Sequence, residues 1–278
     1  MQKISGGEIA QKIINELKSK PVPKKILAAV LVGENPTSIS FLKQKEKIAK
    51  ELGVDFRVYK FSDGLKNDDL RKEIGKIAKL SRVGGVIVQL PLPEHINRRY
   101  VLNAIPPEKD VDVLSEKAKE LVKKGENKIL PPAVGVVDEI IHASGFTLHD
   151  SRVAIVGVGF LVGQPIFEWL KDKTRELKTF DLGDNLDELK KFDLIISGVG
   201  KAGLIKPEML KDDSVIIDFG YDMKEIRNEK GEIRKQIFGD FDVSLIYNLS
   251  SLLYTPTPGG TGPILVAELF ENFYKLNQ

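Results

Sequence analysis

Apolar stretches rich in β-branched residues alternate with amphipathic stretches of helical period along most of the chain. The apolar stretches predict strands at 26–32, 54–61, 84–90, 152–156, 177–181, 192–197 and 214–218. The clearest amphipathic stretches predict helices at 38–52 and 67–79. This alternation is typical of βαβ units, and runs such as ILAAVLV are apolar on both faces, as strands covered by helices on both sides are. The pattern therefore predicts an α/β protein with parallel sheets.

A proline-containing stretch separates the two halves of this pattern. It holds Pro106, Pro107, Pro131 and Pro132, and a helix-like run follows it. We place the domain boundary near residue 133, with a first domain at 1–133 and a second at 134–256. A C-terminal helix at 257–278 is expected to pack back on the first domain. The insert NEKGEIRKQ at 228–236 is typical of a solvated hairpin and is given no function.

Composition removes several classes of protein. The 278 residues include no Cys and 3 His, which excludes disulfides and cysteine nucleophiles and leaves little room for a metal site. The net charge of +2 comes from interspersed charges, which does not indicate a nucleic-acid surface. The longest apolar runs are of strand length, and the N-terminus lacks the apolar core of a signal peptide. We expect a soluble cytoplasmic protein with no metal, nucleic-acid or membrane partner.

Glycines stand at the carboxyl ends of several predicted strands. They are Gly33, Gly157, Gly198 and Gly220. Ligands of open α/β sheets bind outside these strand ends, where backbone must approach closely. A simple turn explains any one of these glycines, whereas the four together favour a ligand-binding cleft.

The segment 152–170 has the order strand, glycine-rich turn and helix that is typical of dinucleotide binding. Gly157 and Gly159 are followed by Gly163, a spacing one residue longer than the usual fingerprint. Asp181 lies about 20 residues further on, where a carboxylate can bind a ribose hydroxyl. A helix cap or a solvated loop acid explains Asp181 equally well. The next predicted strand ends in a second loop without bulky side chains, formed by Ser197, Gly198, Val199 and Gly200.

One lysine of the helix at 38–53 is on the wrong face for a solvated side chain. At about 100° per residue, the apolar residues of this helix fall on one arc: Phe41, Leu42, Ile48, Ala49 and Leu52. Lys45 falls inside this arc and Ser38 lies beside it, while the other lysines face the opposite side. Lys45 either extends its ammonium group to the helix margin or faces a cleft in which it does acid–base chemistry.

Further polar residues interrupt apolar surroundings. Gln89 ends the apolar strand of GGVIVQLPLP, and a buried glutamine needs partners for its amide. Asp110 and Asp112 follow two prolines, and they either face a ligand or cap the helix that begins near Ser115. The segment TPTPGGTGP at 255–263 lines a cleft with backbone or acts as a linker.

At these motifs the chain resembles the bifunctional methylenetetrahydrofolate dehydrogenase/cyclohydrolase family, nearly from end to end. VGENPTSISFLKQK is similar to the family's V-G-x-x-x-x-S-x-x-Y-x-x-x-K segment, and VGGVIVQLPLP to its Q-L-P-L-P strand. PPEKDVDV, VIIDFGY, FGDFD and TPTPGGTGP resemble its K-D-V-D-G, D-x-G, G-D-V and P-G-G-V-G-P segments. In combination, these sequence motifs are specific to this family.

The resemblance implies an N-terminal α/β/α substrate domain and a C-terminal Rossmann-like domain that flank a cleft, usually in a homodimer. It implies oxidation of 5,10-methylenetetrahydrofolate with NADP and hydrolysis of the methenyl product to 10-formyltetrahydrofolate, within one-carbon metabolism and purine biosynthesis. Lys45 matches the catalytic lysine, Gln89 its hydrogen-bond partner and Asp112 the carboxylate that holds the pterin. The residues that match the folate-binding motifs are Ser38, Phe41, Pro258, Gly259 and Gly260.

The chain departs from the family pattern at four places. Phe41 replaces a tyrosine, which removes a hydroxyl group beside the lysine. Val158 and Gly159 replace an Arg-Ser pair in the cofactor turn; together with Asp181 this admits NAD, although NADP is the family's habitual cofactor. PPAVG replaces P-C-T-P-x-G, and Val113 replaces a glycine.

Three alternative functions remain open at this point. A dehydrogenase without hydrolase activity is compatible with Phe41. A noncatalytic nucleotide or folate sensor has no need for Lys45. An α/β dehydrogenase for an unrelated carbonyl compound would need its own proton donor in the second domain, and none is apparent.

Overall fold

The computed structural model describes residues 2–227, 233–245 and 249–278. The chain divides into two compact units, which we name by their main sheets. The three-stranded unit contains residues 11–132 and 266–278, and the six-stranded unit contains the N-terminal residues through Ala10 and residues 133–265. The strands are β1 (Gln2–Lys3), β2 (Ile26–Val32), β3 (Phe56–Phe61), β4 (Val83–Val88), β5 (Arg152–Val156), β6 (Glu176–Phe180), β7 (Leu194–Ser197), β8 (Val215–Asp218), β9 (Asp222–Arg227), β10 (Ile233–Phe238) and β11 (Leu253–Tyr254). The helices are α1 (Gly6–Lys18), α2 (Pro36–Leu52), α3 (Asn67–Lys79), α4 (Arg98–Leu102), α5 (Glu116–Lys123), α6 (Pro132–Ser144), α7 (Gly163–Leu170) and α8 (Thr261–Leu276).

The three-stranded unit is built on a parallel sheet with the order β3-β2-β4. Every residue of β2 and β4 is buried, as the uninterrupted apolar runs predict. Helix α2 begins at the carboxyl end of β2, where the Asn35 side chain accepts a hydrogen bond of 3.0 Å from the Ser38 N–H. It ends at Gly53, which has the left-handed conformation that glycine adopts without steric cost.

The end of α8 is part of the three-stranded unit. The Asn272 side-chain amide donates to the carbonyl groups of Val111 at 3.0 Å and Leu130 at 2.8 Å. A Cβ atom at Gly85 would lie only 2.8 Å from the Phe273 ring, so the helix packs directly on β4. Contrary to prediction, α8 begins at Thr261 and not at residue 257, since residues 257–260 form a turn.

The six-stranded unit contains a parallel sheet with the order β1-β11-β8-β7-β5-β6. All residues of β7 and β8 are buried, and β5 is buried except for its first residue. The edge strand β1 lies outside the predicted second domain, because the prediction assigned all of 1–133 to the first. A strand of two residues is too short to show a hydrophobic period, and only its backbone pairing places it.

The insert near residue 230 has strands on both sides. β9 and β10 pair in antiparallel register, from Asp222 with Phe238 to Arg227 with Ile233. Of the predicted hairpin at 228–236, residues 228–232 lie outside the described residues. Among the helices described, none is long and apolar enough to cross a membrane.

Candidate active site

Lys45 lies on α2 at the border between the buried and the exposed face. Leu42, Ala49 and Leu52 are buried, as the helical arc predicts, and the outward lysines Lys43, Lys47 and Lys50 are exposed. Lys45 itself is half-buried, and its Nζ donates a hydrogen bond of 3.0 Å to Oε1 of Gln89. Its side chain is therefore turned toward the end of β4 and does not extend freely into solvent.

Gln89 directly follows β4 and uses both ends of its amide. Its Oε1 accepts from Lys45, and its Nε2 donates to the Leu90 carbonyl at 2.8 Å. The Ser38 hydroxyl donates to the same carbonyl at 3.4 Å, and Ser38 and Gln89 are both buried. The structure thus brings together Ser38 and Lys45 of the predicted helix with Gln89 of a predicted strand that is distant in the sequence. Phe41, which the sequence analysis also selected, is half-buried and lies one helical turn before Lys45 on α2.

The two aspartates of the loop after α4 have different roles. Asp110 is buried, and its Oδ2 accepts from the N–H groups of Leu114 at 3.0 Å and Ser115 at 2.7 Å. Asp110 therefore orders the turn before α5, but it is not the predicted cap of that helix: the cap is Ser115, whose side chain accepts from the Ala118 N–H at 3.4 Å. Val113 within this turn has a φ of 56°, a left-handed conformation that costs a β-branched residue about 1–2 kcal/mol. Asp112 lies in the same loop, near enough to Lys45 for the two charges to influence each other.

The electrostatics of this group shift the pKa values of Lys45 and Asp112 toward each other. Burial lowers the pKa of the Lys45 ammonium group, and the attraction of Asp112 offsets part of this effect. Burial raises the pKa of Asp112 to about 6; Lys45 opposes this shift and Asp110 adds to it. A lysine that gives up its proton more readily than usual is suited to act as a general base.

The predicted cofactor turn connects β5 to α7. Gly157 has a φ of 84°, which requires glycine. A Cβ atom at Gly163 would collide with the Gly157 carbonyl oxygen, so glycine is required there for close approach. The first residue of α7 is Gly163, and Val162 before it provides no side-chain cap. In this first turn the Gln164 N–H donates to the Gly159 carbonyl at 3.0 Å and Pro165 has no N–H, so the Gly163 N–H is the group suited to a phosphate.

Exposed apolar side chains surround this turn at the carboxyl ends of three neighbouring strands. After β5, Val158 and Leu161 are 40% and 45% exposed; after β6 and β7, Leu182 and Val199 are 90% and 39% exposed. Apolar surface of this kind indicates a site that a ligand covers. The sequence analysis missed Leu161 and Leu182, although Leu182 directly follows the selected Asp181.

The structure distinguishes the polar residues predicted at this site. Asp181 is exposed, and its Oδ1 accepts from the Leu182 N–H at 2.9 Å. Ser197 is fully buried, and its hydroxyl donates to Asp240 at 2.6 Å, so its hydroxyl is turned away from the surface expected for a cofactor contact. Gly159 and Gly200 are exposed. Gly198 packs against Val162, since a Cβ atom on Gly198 would lie 2.9 Å from Val162 Cγ1.

The predicted folate-side segment forms the turn before α8, in the six-stranded unit. Pro258 and Gly259 are exposed, and the Gly259 carbonyl accepts from the Gly6 N–H at 3.1 Å. Gly260 is buried, and a Cβ atom there would lie 2.5 Å from the Pro256 carbonyl oxygen. Contact with folate at this segment stays a prediction.

Family models match both halves of the chain. The catalytic-domain model of tetrahydrofolate dehydrogenase/cyclohydrolase matches residues 4–112, and the model of its NAD(P)-binding domain matches residues 131–278. The chain belongs to the tetrahydrofolate dehydrogenase/cyclohydrolase family. The resemblance drawn from the sequence motifs is therefore confirmed, as is the two-domain α/β class with a Rossmann-like NAD(P)-binding domain.

Relatives of this family align over nearly the whole chain. The bifunctional protein FolD of Mycoplasma mobile is 34% identical over 95% of this chain and 90% of its own length. The structure of the bifunctional FolD from Campylobacter jejuni is 30% identical, covers 100% of this chain and 98% of that one, and has a TM-score of 0.87. A Trypanosoma brucei FolD structure, complexed with NADP and an inhibitor, is 24% identical over 99% and 96% of the chains, with a TM-score of 0.90; it shows the shared fold.

Across residues 2–227, 233–245 and 249–278, no group of three or more His, Asp or Glu side chains is arranged to hold a metal ion. The NAD(P)-binding domain, by contrast, has residues that fit a dinucleotide: the close-packed glycines, the Gly163 N–H at the start of α7 and the exposed apolar surface around them.

Proposed function

We propose that this protein oxidises 5,10-methylenetetrahydrofolate with NADP and hydrolyses the methenyl product to 10-formyltetrahydrofolate. The observation that carries this proposal is the hydrogen bond between Lys45 and Gln89, with the charge of Asp112 acting on the same lysine, in a chain that belongs to this family. Neither packing nor solvation explains why a lysine on α2 should bind a buried glutamine at the end of β4.

In this proposal Lys45 removes a proton from water. Its lowered pKa increases the fraction of neutral amine, which accepts the proton as the water oxygen attacks the methenyl carbon. The positive charge of the methenyl group is lost as the C–O bond forms. The bond between this carbon and N5 then breaks: Lys45 returns its proton to N5, and the new hydroxyl group loses its proton to solvent to give the 10-formyl product. Gln89 fixes the position of Nζ, because its own amide is held by the Leu90 carbonyl. Asp112, when ionised, accepts hydrogen bonds from the pterin N–H groups.

In the dehydrogenase step the methylene carbon loses a hydride and becomes the methenyl cation. Bound NADP supplies the hydride acceptor. The turn from Gly157 to Gly163 and the loop from Gly198 to Gly200 would hold the dinucleotide, with its diphosphate at the start of α7. Asp181, together with Val158 in place of the family's arginine, is also compatible with NAD. Both dinucleotides are therefore assayed.

The second candidate is a dehydrogenase that lacks the hydrolytic step. Phe41 favours it, because phenylalanine provides no hydroxyl group beside Lys45. Two assays separate the candidates: reduction of NADP and of NAD with methylenetetrahydrofolate, and decay of the methenyl absorbance with enzyme against buffer. A decay rate equal to that in buffer would favour the second candidate, and no reduction of either dinucleotide would refute both.

We also propose a cytoplasmic homodimer. The support is the resemblance to the family, together with a cysteine-free sequence of interspersed charges. Sedimentation of the purified protein at micromolar concentration tests the dimer, and a single species of monomer mass would contradict it.

A further inference from the structure

A buried carboxylate that the sequence analysis did not select holds the loop after β7. We define the β7 loop as residues 197–203. Asp240, which is fully buried, accepts three hydrogen bonds from it. Its Oδ2 accepts from the Ser197 hydroxyl at 2.6 Å and the Val199 N–H at 2.8 Å, and its Oδ1 accepts from the Lys201 N–H at 2.7 Å.

The end of the β7 loop is held by residues near Asp240 in sequence and by Asp222. The Ala202 N–H donates to Asp222 at 3.1 Å, and the Gly203 N–H donates to the Gly239 carbonyl at 3.1 Å. Asp240 is itself closely enclosed, since a Cβ atom at Gly220 would collide with its carboxylate. The Asp240 side chain therefore has little freedom, and its position is transmitted directly to the loop.

The β7 loop in turn packs against the cofactor turn. A Cβ atom at Gly157 would lie 2.8 Å from Val199 Cγ2, and one at Gly198 would lie 2.9 Å from Val162 Cγ1. With its N–H directed to Asp240, Val199 presents its side chain outward against Gly157, and it remains 39% exposed. Asp240 thus determines how Val199 stands beside the first glycine of the turn.

We propose that Asp240 is a positioning residue for the dinucleotide, acting through Val199 and the β7 loop. This inference rests on the proposed function, in which that loop and the Gly157 turn bind the cofactor. Asp240 serves the oxidoreductase step and not the hydrolytic step, because all of its contacts described here are with the NAD(P)-binding domain.

The test compares Asp240→Asn with a matched control, Asp212→Asn. Asparagine keeps the shape but replaces one acceptor oxygen by an NH2 group, which then faces either Lys201 N–H or the Ser197 and Val199 donors. Asp212 also accepts from a backbone N–H, of Ser251 at 2.9 Å, and from a serine hydroxyl, of Ser250 at 2.8 Å. It precedes β8, at the opposite end of the sheet from the β7 loop.

We expect Asp240→Asn to raise the KM for the dinucleotide by about tenfold or more, the size of a lost hydrogen bond to a charged group. Hydrolysis of added methenyltetrahydrofolate, which needs no dinucleotide, should stay within about twofold of the unchanged protein, and Asp212→Asn should change neither. Ser197→Ala should raise the KM less, and its effect should shrink in the Asp240→Asn background, because the buried hydroxyl acts through Asp240.

An unchanged KM in Asp240→Asn would overturn the proposal, and so would an equal loss of both activities, which would indicate a general structural role. If Asp240→Asn does not fold, Ser197→Ala serves alone, and a KM unchanged by it refutes the inference. If the unchanged protein oxidises no methylenetetrahydrofolate, the proposed function fails. The role of Asp240 is then decided by calorimetric titration with NADP and NAD, where equal affinity of the unchanged protein and Asp240→Asn refutes it.

Discussion

Replacement of Lys45 by methionine tests the proposed chemistry most directly. Methionine has nearly the same length and suits a half-buried position on α2, but it has no group that accepts a proton. General-base catalysis contributes about 10²- to 10⁴-fold in rate, or about 3–5 kcal/mol of transition-state stabilisation. We therefore expect Lys45→Met to slow methenyltetrahydrofolate hydrolysis by a factor in this range. The decay of methenyl absorbance measures this rate.

The same replacement acts on Asp112. The pKa of Asp112 is about 6: burial raises it, and the positive charge of Lys45 keeps it from rising further. Without the lysine the pKa of Asp112 rises further, so at neutral pH more of the carboxyl group is protonated and accepts pterin N–H bonds less well. The KM for the folate substrate should therefore be raised at pH 7 and recover in part at higher pH. Asp112→Asn in the Lys45→Met background should abolish this recovery.

Lys47→Met is the matched control, because Lys47 is exposed on the same helix and should tolerate the change. NADP binding should be the same in both single variants. The proposed mechanism is refuted if Lys45→Met hydrolyses the methenyl substrate within about threefold of the unchanged protein, a loss too small for a general base. It is also refuted if Lys47→Met loses as much activity as Lys45→Met.

Three further predictions concern the six-stranded unit. Gly163→Ala should abolish dinucleotide-dependent oxidation and spare methenyl hydrolysis, because its Cβ meets the Gly157 carbonyl; an active dehydrogenase would contradict this. Asp181→Ser should raise the ratio of kcat/KM with NADP to that with NAD, since a carboxylate repels a 2′-phosphate; an unchanged ratio would remove Asp181 from the site. Burial raises the pKa of Asp218 from 3.8 to about 7, so its contribution to the free energy of unfolding is complete below pH 3.8 and is lost as the pH rises through 7. The three-unit shift corresponds to at most about 4 kcal/mol. Chemical denaturation between pH 4 and 8 should show that the free energy of unfolding depends less on pH in Asp218→Asn than in the unchanged protein; an equal dependence would contradict the prediction.

The local sequence pattern was sufficient to predict several features of this protein. The continuous apolar run of β2 predicts a strand buried on both faces, and the helical arc of α2 distinguishes Lys45 from the outward lysines of the helix. Gln89 stands out because it interrupts an apolar run. Each of these signals depends on the period of a single element, which is a property of consecutive residues.

Tertiary structure alone decided the roles of residues whose partners are distant in the sequence. Asp110 and Asp112 are equivalent by pattern, but in the fold the first binds the N–H groups of its own turn, whereas the second interacts electrostatically with Lys45. Ser197 was selected as a cofactor contact, and only its hydrogen bond to Asp240, 43 residues later in the chain, shows that its hydroxyl is turned inward. The short strand β1 has no pattern and is placed by its pairing with β11. Hydrogen bonds between segments depend on how the sheet is assembled, and no local period records that assembly.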